Sequence, residues 1–260
     1  MKKLLYIIIG VVTLLTSCDN IDEADRLIYV KPADVSRCVL IEDFTGQKCV
    51  NCPKATDVIE ALQKQYGADT IIAVGIHSGP LGFYTKGDKL GLSTKTGDEY
   101  YSAWNIEQQP MGLVDRVGGA LLHTNWATAV HDELQKKAPV SIAIDNTYNE
   151  SDSTVSIKVN TLGISGSTTG KLQLWAIEDS IVAMQMMPDG SLNSTYIHNH
   201  VFRTAINGTW GDDFSTNEGE TKTASYSLKI DKLWKPEHVS IIAFVYNDSG
   251  VQQVTKKKIK

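Results

Sequence analysis

In the first half of the chain the apolar residues fall into short continuous runs set around one helical stripe. Val39-Leu40-Ile41-Glu42-Asp43-Phe44 is apolar apart from two adjacent acids, and Thr70–Ile76 (TIIAVGI) is apolar almost throughout. Such runs read as strands covered on both faces. Between them Ala55, Val58, Ile59, Leu62 and Tyr66 recur at helical spacing, which predicts a helix from about Pro53 to Tyr66, stopped by Gly67. A Gly-rich stretch from Gly79 follows, then a short helix over Gly97–Trp104. Gln109-Pro110 opens a short apolar strand ending near Asp115, Gly118-Gly119 is a turn signal, and Ala120-Leu121-Leu122 is the partner strand. Asn125 can cap a last helix through Lys137, with Trp126, Val130 and Leu134 on one side. The expected order is β-α-β, a helical insert, then β-β-α.

After Ala138-Pro139 the period changes to two. Val140/Ile142/Ile144, Val155/Ile157/Val159 and Tyr226/Leu228/Ile230 alternate apolar with polar, while Ile241–Tyr246 is apolar throughout. Asn146–Asp152, Gly163–Gly170 and Asn247–Gly250 supply turns. This pattern predicts an all-β, immunoglobulin-like sandwich over 139–260, with Pro139 at the boundary.

The N-terminus changes the picture of where the chain resides. Met1-Lys2-Lys3 is followed by a twelve-residue apolar stretch, Leu4–Leu15. That is short of the roughly 20 residues a membrane-spanning helix needs, and it reads as a signal peptide over 1–17. Leu15-Thr16-Ser17-Cys18 resembles a bacterial lipobox, which implies cleavage before Cys18 and lipidation of Cys18; an ordinary signal peptide with a chance cysteine is the alternative. Several acyl chains on one residue would anchor the protein to a membrane. Residues 18–36, with Asp19, Asp22, Glu23 and Asp25, read as an acidic tether, and those acids resemble the surface-export signal of Bacteroidetes lipoproteins. Composition is that of a globular protein, 42% hydrophobic and 21% charged. Loss of Lys2 and Lys3 with the signal leaves 23 basic against 30 acidic residues, and no basic face argues for nucleic acid as a partner.

The candidate chemistry lies in Cys49-Val50-Asn51-Cys52-Pro53, where the first strand gives way to the first helix. A helix N-terminus favours a thiolate over a thiol, and a thiolate there can attack a disulfide while the second cysteine resolves the mixed disulfide. Position 53 is Pro, not the His of a c-type haem site, and no second CxxC or nearby HxxxH completes a structural zinc site. A static disulfide is the competing reading. No cofactor or metal is called for. Cys38 is left over and is expected as a buried free thiol. His77, at the end of the second strand, is expected to pack or to hydrogen-bond a loop, with a proton relay as the alternative. His198-Asn199-His200 would put two imidazoles on one face of a strand but lacks a third ligand, so loop hydrogen bonding is expected. Met184, Met186 and Met187 read as packing, and Lys256-Lys257-Lys258 as a solvated tail.

The first-half order, with CxxC opening the first helix and Pro110 opening the third strand, resembles the thioredoxin fold over 37–137. That resemblance implies a cis Gln109–Pro110 bond lying against the cysteine pair. It also implies a buried acid at Asp43 managing the proton of Cys52; Glu42 competes for that role because neighbouring strand residues face opposite ways. Lys48 stands where relatives carry Trp, and the inner dipeptide Val50-Asn51 is unlike theirs, leaving the direction of electron flow open. Taken with Glu42-Asp43-Phe44-Thr45-Gly46, Asp115-Arg116, and His198 through Arg203 with Gly208, the chain resembles the Bacteroidetes lipoprotein family called outer membrane protein twenty-eight. This implies an outer-membrane lipoprotein. Two functions follow: a thiol–disulfide oxidoreductase acting on protein thiols or disulfides through Cys49, Cys52, Asp43 and Pro110, or a surface protein binding an extracellular ligand with the disulfide as a brace.

Overall fold

A computed structural model describes residues 31–260, so Cys18, the signal segment and most of the tether lie outside the described residues. β1 (Val39–Thr45) leads through a short loop into α1 (Cys52–Tyr66), and β2 (Ile71–His77) follows. A hairpin, β3 (Tyr84–Lys86) and β4 (Lys89–Leu92), occupies the Gly-rich stretch and precedes α2 (Lys95–Ala103). Next come β5 (Met111–Val114), β6 (Leu121–Leu122) and α3 (Trp126–Leu134). Beyond Pro139 the chain is almost entirely strand: β7 (Val140–Asn149), β8 (Thr154–Gly163), β9 (Ser167–Glu178), β10 (Ile181–Met186), β11 (Leu192–His198), β12 (Val201–Ala205), β13 (Asp212–Asn217), β14 (Thr221–Lys229), β15 (Val239–Asn247) and β16 (Gly250–Lys258).

The result is a mixed α/β protein, mostly β. One mixed sheet runs in the order β16-β15-β9-β12-β2-β1-β5-β6, with β13 added to the first half of β9. β1–β2 and β12–β2 are parallel and the remaining pairs antiparallel. Smaller antiparallel sheets are β14-β8-β7, β10-β11 and β3-β4. The boundary expected at Pro139 falls at the start of β7, and the main sheet takes strands from both sides of it. The two sets meet at β12–β2, through the register pair Val201 with Gly75 and a Gly75 N–H to His200 carbonyl bond of 2.8 Å.

Every residue of β1 is buried, and its two faces serve different cores. Val39 and Ile41, with Ile71 and Ala73 of β2, pack under Ala55, Ile59 and Leu62 of α1 and Trp126 and Val130 of α3. Leu40 and Phe44, with Ile72, Val74 and Ile76, meet Tyr100 of α2 and Trp175, Phe202 and Phe244 from the second half. The α1 positions are spaced i, i+4, i+7, which makes one stripe of the helix. Burial of Ile59 or Leu62 contributes about 1.5–3 kcal/mol each, and the methyl of Ala55 less.

β14-β8-β7 stacks on the far part of the main sheet. Val155, Ile157 and Val159 point inward against Leu172, Leu174 and Ala176 of β9 and Ile241, Ala243 and Val245 of β15. The other face of β9 and β15 carries Trp175, Ile177, Ile242 and Phe244 into the first core. Coverage on both faces explains why 241–246 shows no alternation. Lys256, Lys257 and Lys258, expected as a tail, instead pair with Ile242, Ile241 and Ser240 as the last residues of β16.

Candidate functional site

The loop between β1 and α1 is held by backbone contacts. Lys48 N–H donates to the Leu81 carbonyl (2.9 Å) and Cys49 N–H to the Gly46 carbonyl (3.0 Å). Gly46 lies so close to the next loop that a Cβ there would stand 2.4 Å from the Leu81 carbonyl carbon. Cys49 and Cys52 form a disulfide, and Cys52 is the first residue of α1. The Asn51 side chain makes no capping bond and instead accepts from Lys54 Nζ at 3.0 Å. The helix-end field therefore acts on the sulfurs, favouring negative charge there. Lys48 points to solvent, its Nζ 5.5 Å from the Phe83 ring centroid.

Both cysteines are only 2% exposed, whereas Val50 between them is 39% exposed. The cover comes from the β10–β11 hairpin of the second half. Gln185 Nε2 donates to the Cys49 carbonyl (2.8 Å), and Met186 N–H donates to the Gln47 carbonyl (2.9 Å). The Gln47 side chain answers by donating to the carbonyls of Leu90 (3.1 Å) and Met184 (3.2 Å) and accepting from Leu92 N–H (2.9 Å).

Behind the pair lies a cavity of about 40 Å³ lined by Asp43, Thr45, Cys52, Gly75, His77 and His198, among others. Asp43 is buried and its Oδ1 makes no bond to another protein group. Burial alone pushes its carboxyl up to about 8. His77 is also buried, with an unpartnered Nδ1 and its ring centroid 5.1 Å from that of His198. Burial, with the charges of His198 and Arg203, holds His77 well below the usual imidazole range, and burial takes His198 down to about 4. The Gln109–Pro110 bond is cis, and Gln109 Nε2 donates to the carbonyls of Thr45 (2.6 Å) and Ser78 (3.0 Å), tying the proline loop to the end of β1.

Glu42 faces the other way. Arg116 Nε donates to Glu42 Oε1 at 2.6 Å and Nη2 to Oε2 at 3.1 Å. The guanidinium is ringed by Tyr246, Phe244, Trp104 and Trp175 at 4.3–5.6 Å. Cys38 is free but half-buried rather than fully buried, because it precedes β1; burial and the nearby Asp115 and Asp69 push its thiol up. Both imidazoles of 198–200 line the cavity, but from different backbone settings: His198 ends β11, while His200 sits in a turn at φ 58° with Nδ1 2.9 Å from Asp179. Met184 and Met186 are half-buried on β10. Among the described residues no group of three or more His, Cys, Asp or Glu side chains stands close enough to hold a metal ion. Gln185 bonds the Cys49 carbonyl, and Tyr196 and His198 line the cavity with Cys52, from more than a hundred residues away; of the three only His198 belongs to a pattern visible in the sequence.

Residues 97–260 match the family described as outer membrane protein Omp28. The chain belongs to this outer membrane protein family; the matched stretch begins after the cysteine pair. Among solved structures it is similar to HBP35 of Porphyromonas gingivalis, at 16% identity and TM-score 0.65 over 88% of this chain and 77% of that one. It is also similar to a structural-genomics protein of Agrobacterium tumefaciens, at 14% identity and TM-score 0.51 over 88% and 97%. A domain of the outer membrane lipoprotein Omp28 from P. gingivalis aligns at 26% identity and TM-score 0.36 over 47% and 89%. At these identities the first two speak for the fold alone. No curated protein matches the chain.

Proposed function

We propose that this is a cell-envelope thiol–disulfide oxidoreductase, held to the outer membrane by lipid on Cys18. The strand order β2-β1-β5-β6, with α1 and α3 on one face and the cis proline at the head of β5, supports a thioredoxin-like unit. The stacked sheets after Pro139 support an immunoglobulin-like sandwich joined to it. The observation that carries the chemistry is a buried Asp43, its Oδ1 without a protein partner, lining the same cavity as Cys52.

In the reducing direction the Cys49 thiolate attacks a substrate disulfide, forming a mixed disulfide and releasing one substrate thiolate. Cys52 gives its proton to Asp43 and attacks Cys49; the protein disulfide re-forms and the second substrate thiolate leaves. Two electrons pass to the substrate, and the reverse sequence oxidises a dithiol. Asp43 fits the proton step because its shifted pKa lies near that of a thiol. The Pro110 loop would lie along the substrate chain. Cys52→Ser tests this: in cells it is expected to accumulate dithiol-sensitive adducts through Cys49, and Cys49→Ser none. Equal adducts with both variants, or none with either, count against the reading.

The burial of both cysteines favours a second reading, a surface scaffold in which the disulfide is a brace and an extracellular ligand binds elsewhere. A pair that stays fully oxidised in cells, on a surface-exposed protein, would favour it.

A further inference from the structure

Asp43 and His77 stand on one face of the parallel pair β1–β2. Asp43 is in register with Gly75, and Thr45 with His77, so Asp43 and His77 are diagonal neighbours, and at the corner beside them Gly75 adds no side chain. The space left opens into the cavity of about 40 Å³, whose wall includes Cys52. A water needs roughly 10–15 Å³ of such volume and two to four polar partners. Here the unpartnered Asp43 Oδ1 and His77 Nδ1 supply two, and a buried polar atom without a partner calls for one. The remaining wall offers Thr56, Glu60, Tyr196, His198 and His200.

We infer that His77 is a positioning residue for the cysteine pair: through Nδ1 it holds a water that carries the proton between Cys52 and Asp43. The proposal rests on the oxidoreductase reading. The water donates one hydrogen to His77 Nδ1 and the other toward the Asp43 carboxylate. As Cys52 ionises, the water oxygen takes the thiol proton and passes its own to Asp43; the thiol becomes thiolate, the carboxylate becomes carboxylic acid, and water is regenerated. His77 stays neutral throughout, as its burial beside His198 and Arg203 requires. An imidazolium would carry a proton on Nδ1 and could not accept from the water.

The test measures the rates at which dithiothreitol reduces, and its oxidised form re-oxidises, the Cys49–Cys52 pair. His77→Phe keeps the ring but removes the acceptor. It is expected to slow both rates roughly ten-fold or more while leaving the oxidised-to-reduced ratio at equilibrium unchanged. His77→Gln, which restores an acceptor, should recover most of the loss. In an Asp43→Asn background His77→Phe should add nothing. Gly75→Ala probes the water without touching either side chain: its Cβ would stand 3.7 Å from the nearest atom, so it fits while narrowing the cavity, and the same slowing is expected. Rates within about two-fold of native in His77→Phe and Gly75→Ala overturn the proposal, as does a full further loss on top of Asp43→Asn. A native protein that exchanges normally while these variants do too removes this proposal alone. A native disulfide that does not exchange removes the oxidoreductase reading and this proposal with it.

Discussion

Glu42 and Asp43 are consecutive on β1 and meet opposite surroundings: Glu42 is bound by both ends of the Arg116 fork, while Asp43 Oδ1 has no protein partner. The strand pleat sends one to each face of the sheet. One acid thereby meets a buried guanidinium, and the other lines the cavity that Cys52 also lines.

For Asp43 the consequence is a pH-dependent stability. The carboxyl ionises near 3.8 in the unfolded chain and near 8 in the folded one, so between those values the folded state holds one extra proton. Stability therefore falls as pH rises through that window and levels off above it. Asp43→Asn has no such slope. Its advantage over the native protein should grow by about 1.4 kcal/mol per pH unit across the window, read from urea unfolding at several pH values. A constant difference would mean that Asp43 is not buried as described.

Glu42→Gln should do the reverse of stabilising. It leaves the Arg116 charge buried, and cation–π contacts worth about 2 kcal/mol cannot replace a carboxylate. A loss of about 3–5 kcal/mol in urea unfolding is expected. A loss under about 1 kcal/mol would show the pair to be far more hydrated than its burial implies.

Gln185→Ala removes the side chain that ties β10 to the Cys49 carbonyl. Loss of that bond costs about 1 kcal/mol, and an isolated two-stranded hairpin is marginal by itself. Reduction of the disulfide by a water-soluble phosphine should quicken about five-fold. An unchanged rate would mean that the hairpin is not what shields the sulfurs.

Gly46→Ala should disturb the cysteine loop directly, since the new methyl would meet the Leu81 backbone at 2.4 Å. A loss of about 1–3 kcal/mol or more in stability is expected, with faster reduction of the pair. Native stability would require Leu81 and Gly82 to shift freely.

Much of the first half could be read from the chain because its signals are local. The Ala55, Ile59, Leu62 stripe, the stop at Gly67 and the proline before β5 each act within one turn or one strand. The same locality hid other features. β1 is buried on both faces, so no alternation revealed which acid faced Arg116 and which faced Cys52. The β3–β4 hairpin is short, and its residues Tyr84, Thr85 and Lys86 are exposed, which leaves no apolar period to read. The joining of β12 to β2 rests on one register pair and a backbone bond at Gly75, and no periodicity encodes such long-range pairing. Gln185 and His198 arrive at the cysteines by that route, so their place at the site emerges only from the tertiary fold.

The most direct measurement is the reduction potential of the Cys49–Cys52 couple in the purified protein. A redox-active pair is expected to equilibrate with a thiol buffer at a potential above about −300 mV, the upper bound for resistant structural disulfides. In Asp43→Asn the approach to that equilibrium should be slowed. A potential well below about −300 mV would contradict the account and leave the disulfide as a brace.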